Sequence, residues 1–104
     1  MKITKVQGRK FDRPNSNVKG VVEVTLDDCF VVKDIRIIEK PEKMVVAMPS
    51  RVVPGRNEDG SINEENKVHI DQAHPINKDT REMFNETILG AFERATTSEF
   101  SEEF

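Results

Sequence analysis

Residues 18–40 read VKGVVEVTLDDCFVVKDIRIIEK, and their first half alternates like a β-strand with one dry face. Val18, Val22, Val24 and Leu26 share one parity, with Lys19, Glu23, Thr25 and Asp27 on the other. The adjacent Asp27 and Asp28 read as a tight turn, because aspartate bonds its own backbone and tolerates turn geometry. A second strand follows from Cys29 to Glu39, so the stretch is a hairpin. Its second strand changes phase: Phe30 and Val32 lie on one parity, Ile35 and Ile37 on the other. A bulge at Lys33 and Asp34 would bring both sets to one face. Burial on both faces is the alternative, and it is favoured by the apolar neighbours Val21 and Val22, Val31 and Val32, Ile37 and Ile38, and Val45 and Val46.

Outward from the hairpin, residues 2–11 supply a weaker first strand, and DRPNSN at 12–17 is turn-rich. MVVAM at 44–48 makes a fourth strand, ended by Pro49. Residues 49–68 carry Pro, Gly, Asn and acids and are expected to form a long polar loop, with a short strand at 68–72. His74 before Pro75 holds the chain extended. A helix is then expected over about 78–95, capped by Asn77 or Asp79, with Glu82 completing a capping box in the second case. Phe84, Ile88, Ala91, Phe92 and Ala95 form its apolar stripe. TTSEFSEEF at 96–104 loses the period and is expected to fray, with Phe100 and Phe104 free to dock.

The expected fold is α+β: an antiparallel meander of four to five strands followed by a C-terminal amphipathic helix, in one domain over residues 1–95. One helix covers one face of a sheet. Apolar residues on the other face need a partner, which predicts a homodimer joined face to face or edge to edge.

The 104 residues are 36% hydrophobic and 34% charged, the balance of a soluble globular protein rather than a disordered one. A single cysteine, Cys29, rules out an internal disulfide, and no Cys-x-x-Cys pair suggests zinc. No signal-like segment follows the first residues, and no run approaches the roughly 18 apolar residues of a membrane span. A cytoplasmic location is the expectation. The net charge of −3 argues against coating nucleic acid by bulk attraction, though not against a local basic patch.

Four blocks, MKIT at 1–4, FVVKDIRIIE at 30–39, VAMPSR at 46–51 and AHPINKDTR at 73–81, together resemble the SpoVG (stage V sporulation protein G) family over residues 1 to about 95. The resemblance implies a strand meander with a C-terminal helix, a dimer, and binding of DNA and RNA with effects on cell division, sporulation and gene expression. The basic positions it carries over are Arg51 after MPS and Arg81 closing the last block. The chain departs from the family pattern between them: Val52 and Val53 replace a second basic residue, the connection is longer and acidic, and Ile70 stands where a later arginine is usual. Arg56 is the candidate substitute.

Arg51, Arg56, Lys78 and Arg81 are therefore the candidate nucleic-acid-binding residues, converging on the helix start if the loop folds toward it. Against this stands ordinary surface charge, or pairing of the bases with Asp79 and Glu82. Lys78 and Arg81 draw attention because cations in a first helical turn oppose the helix dipole. His69, Asp71 and His74 fit no usual zinc spacing, and His74 is expected to order its loop instead. Cys29 is expected to be a half-buried strand residue rather than a nucleophile. Phe84, Ile88 and Phe92 fall on the core stripe, and Phe11 and Phe30 are expected in the core, which leaves no aromatic platform for stacked bases. No enzyme and no cofactor is expected. A protein-interaction adaptor that binds a division or regulatory partner is the second functional expectation.

Overall fold

A computed structural model describes residues 1–104. Strands β1 (Ile3–Lys10), β2 (Val18–Leu26), β3 (Phe30–Glu39) and β4 (Met44–Ala47) form the meander. Next come β5 (Ser50–Arg56) and β6 (Ile62–Asp71), helix α1 (Lys78–Arg94) and β7 (Glu99–Glu103). Five strands make one antiparallel sheet in the order β4-β3-β2-β1-β7, and β5 and β6 make a separate two-stranded ribbon. The α+β meander and its helix are as the sequence indicates. No helix is long and apolar enough to cross a membrane.

The β2–β3 turn is made by Asp27 and Asp28, both left-handed, with φ of 51° and 57°. Such values suit the primed turns that match strand twist. Here they are held from outside: Asp27 Oδ1 accepts from the Lys2 amide at 2.9 Å, and the Asp28 amide donates to Thr4 Oγ1 at 3.1 Å. The start of β1 thus braces the turn.

The phase change in β3 is a bulge. Val22 pairs with Ile35 but Val24 with Val32, so β3 holds an extra residue there, and Asp34 takes a φ of 62°. Ile35 and Ile37 are fully buried, with Val32 packed against the same core. Burial on both faces, favoured from the apolar pairs, is therefore corrected: Val22 and Ile37 are buried and Val32 and Val46 pack against the core, while their neighbours Val21, Ile38 and Val45 are half-buried and Val31 is exposed.

Helix α1 covers the core face. Asn77 is its cap, accepting from the Thr80 amide at 2.8 Å, so the alternative cap at Asp79 is not used. Phe84, Ile88, Ala91 and Phe92 join Ile3, Val6, Val22, Val24, Leu26, Ile35 and Ile37 in one cluster of 11 buried residues.

Two expectations are overturned by backbone pairing. The supposed frayed tail contains β7, which pairs along β1 from Arg9↔Glu99 to Lys5↔Glu103. Phe100 anchors it edge-to-face on Phe92, centroids 6.3 Å apart, while Glu99 and Glu102 pair with Arg9 at 2.9 Å and Arg94 at 2.8 Å. Adding a strand satisfies an edge that would otherwise lie open, a gain that charge-rich sequence does not advertise. Likewise the polar loop of 49–68 is mostly the β5–β6 ribbon. The Gln72 amide bonds the Pro49 carbonyl at 2.7 Å, which by antiparallel alternation makes Ser50↔Asp71, Val52↔His69 and Pro54↔Lys67 the non-bonded pairs. Pro54, lacking an N–H, costs this ladder nothing.

The ribbon projects as an arm. Among residues 50–71 only Gly55 is buried, and Val52, Ile62, Val68 and Ile70 are exposed apolar side chains. The molecule measures 49 × 35 × 23 Å with a radius of gyration of 15.7 Å, against about 13 Å for a compact chain of this length.

Candidate nucleic-acid interface

The loop from Ala73 to Asn77 sets the side chains at the helix start. The imidazole Nδ1–H of His74 donates to the Pro75 carbonyl at 2.9 Å, and Arg81 Nη2 donates to the same oxygen at 3.2 Å. His74 orders its loop, and Arg81, one turn into α1, ties that loop to the helix. The cations in the first turn thus have intramolecular work: Lys78 Nζ lies 3.8 Å from Glu82, four residues on. That pair is exposed and contributes little to stability.

Lys78 and Arg81 share a hollow of about 480 Å³ with His74, Pro75, Ile76 and Asn77. Arg81 also borders a second cleft, of about 560 Å³, between the sheet and the root of the arm. There it meets Arg36 from β3, His69 and Asp71 from β6, and Asp34 from the bulge. Neither guanidinium belongs to an ion pair. The cleft therefore presents two guanidinium charges outside any ion pair, Arg81 with one N–H already given to Pro75, moderated by two carboxylates.

The other two candidates stand elsewhere. Arg51 is exposed at the root of β5, opposite Ile70, on the face of the ribbon turned away from Ser50, His69 and Asp71. Arg56 is at the distal end, about 16 Å along the strand, where its Nη1 donates to the Gly60 carbonyl at 3.1 Å. The loop does not fold toward the helix start, so the four bases do not converge. Arg36 was not picked out from sequence, yet a signal existed: it lies between buried Ile35 and Ile37, and alternation forces it onto the open face.

At the arm's tip, Asp59 accepts from the Ser61 hydroxyl at 2.6 Å and from its amide at 2.9 Å, and these bonds hold the carboxyl below its ordinary range. His69 and Asp71 are both exposed on one face of β6. Cys29 is exposed in the turn rather than half-buried in a strand. Phe30, expected in the core, is 63% exposed at the start of β3. Phe11 is half-buried with the Arg13 guanidinium 4.5 Å above its ring.

The family model described as SpoVG matches residues 1–94, which end with α1 and leave out β7. A protein of Clostridium beijerinckii, linked by name to septation and SpoVG, is 41% identical over 98% of this chain and 99% of its own length. One from Caldanaerobacter subterraneus subsp. tengcongensis, with the same name, is 40% identical over 99% and 100%. A third, from Phytoplasma australiense, is 40% identical over 89% and 84%.

Proposed function

This chain belongs to the SpoVG family, and on that premise we propose that it is a dimeric regulator of septation and gene expression that binds DNA or RNA through a small basic surface. The observation that supports this most is the cleft at the root of the arm, where Arg81 and Arg36 stand without ion-pair partners. Lys78 extends this surface along the helix start, and Arg51 adds a charge at the same root but on the opposite face of the ribbon; Arg56 is too distant to act with them. Phosphate contact by a few such bases gives register without sequence information. Asp34 and Asp71 limit the number of phosphates that the cleft attracts.

The test is fluorescence anisotropy of labelled duplex DNA and single-stranded RNA at several salt concentrations, on protein of measured oligomeric state. A dimer that neutralises two to three phosphates per subunit gives a slope of log affinity against log salt of about −4 to −5 on duplex DNA. Arg51→Ala with Arg81→Ala weakens binding on all sequences alike and brings the slope to near −1. Absence of binding at low salt by folded dimer would refute the nucleic-acid role and favour the adaptor, for which the exposed apolar arm offers a protein-contact surface.

A further inference from the structure

The arm is a two-stranded ribbon with no packing beneath it, an arrangement that is marginal in water unless something else covers it. The outer edge of β6 is unpaired. Because Ser50↔Asp71, Val52↔His69 and Pro54↔Lys67 are the non-bonded pairs, the N–H and C=O groups of Lys67, His69 and Asp71 point outward from that edge. The edge residues read Lys67, Val68, His69, Ile70, Asp71.

Turned end for end, this segment complements itself. An antiparallel copy centred on His69 sets Lys67 against Asp71, Val68 against Ile70, and Asp71 against Lys67. In the same register, the outward N–H and C=O groups of Lys67, His69 and Asp71 meet those of their counterparts in the copy. Val68 and Ile70, 43% and 42% exposed, would lie beside each other across the join on the face they share with Val53. Lys67 and Asp71 belong to none of the ion pairs within the chain.

We propose that β6 is the dimer interface, pairing antiparallel with β6 of a second copy about a twofold axis at His69 to give a continuous four-stranded ribbon. This rests on the dimeric reading above and replaces its open choice of surface with one edge. It also gives Val68 and Ile70, two of the apolar residues that the arm leaves exposed, a contact across the join.

The experiment is sedimentation analysis of the full chain across a concentration series, with circular dichroism to verify folding. Lys67→Asp and Asp71→Lys each turn two attractions into two repulsions per dimer, and each should raise the dimer dissociation constant by about tenfold or more. Carrying both changes in one chain restores opposite charges across the axis and should return the constant close to that of the parent. His69→Pro removes an N–H that β5 does not use, so it should leave the arm formed but abolish dimerisation. A parent dimer indifferent to the single reversals, or a double variant that fails to recover, would overturn this interface while leaving the dimer itself standing. A parent chain that is monomeric throughout would overturn both.

Discussion

Ile88→Ala is expected to lower the unfolding free energy by about 3–4 kcal/mol, near the middle of the range for removing a branched chain from a rigid interior. Ile88 is fully buried on the face of α1 that meets the sheet, with Phe84 and Phe92 one turn to either side. The whole core is 11 residues, so neighbouring side chains have little spare reach to collapse into the void. For a domain of this size the midpoint of thermal unfolding should fall by about 15–25 °C. Urea titration checks it: the midpoint moves while the slope stays constant. A loss below about 1 kcal/mol would mean that the helix is not clamped on the sheet as described.

The second large effect comes from adding one carbon. Gly8 lies in β1, flanked by Val22 on β2 and Phe100 on β7. A Cβ at this position would press against the carbonyl of Val21, 2.7 Å from Val22 Cγ1 and 2.8 Å from the Val22 Cα. Two of these three atoms are backbone, so relief requires β1 and β2 to move apart. Gly8→Ala is therefore expected to cost about 3 kcal/mol, the upper end of overpacking, although alanine usually stabilises a strand relative to glycine. Amide hydrogen exchange should show the loss concentrated along β1, β2 and β7. A variant as stable as the parent would place β1 farther from β2 than the structure does.

The legible parts of this protein were those written as one-sided periodicity. The β2–β3 hairpin and the helical stripe follow from alternation and helical spacing: Val22, Val24, Leu26, Ile35, Ile37, Phe84, Ile88, Ala91 and Phe92 are buried as expected, while Phe30 at the hairpin turn is exposed and Val18 and Ala95 at the ends are half-buried. Periodicity failed where burial is absent or local. The arm shows no dry face, so backbone pairing holds it while its side chains read as loop. The bulge at Asp34 is the less legible of two readings, since apolar neighbours such as Ile37 and Ile38 imitate burial on both sides when the second face is merely half-covered. For the candidate site, sequence marked Arg81 and Lys78 and offered Glu82 as a partner, which Lys78 takes, but not the Pro75 carbonyl that holds Arg81. It missed Arg36 because a lone base in a strand looks like any solvated charge. Where Arg56 lies depends on the path of the arm, which no local pattern encodes.

The ladder between β1 and β7 joins Lys5 to Glu103, nearly the two ends of the chain. During synthesis β1 emerges well before β7, so one of its edges waits unsatisfied until that strand follows. Closing a loop of that length carries an entropic cost that grows only slowly with length, but it delays completion of the sheet until β7 has been made. In the interval the waiting edge presents Lys5 and Arg9 to other nascent chains, and charge on an edge strand discourages intrusive pairing. Glu99 of β7 then pairs with Arg9, and Glu103 takes the position opposite Lys5, so the late strand brings acids to the bases that guarded the unfinished edge.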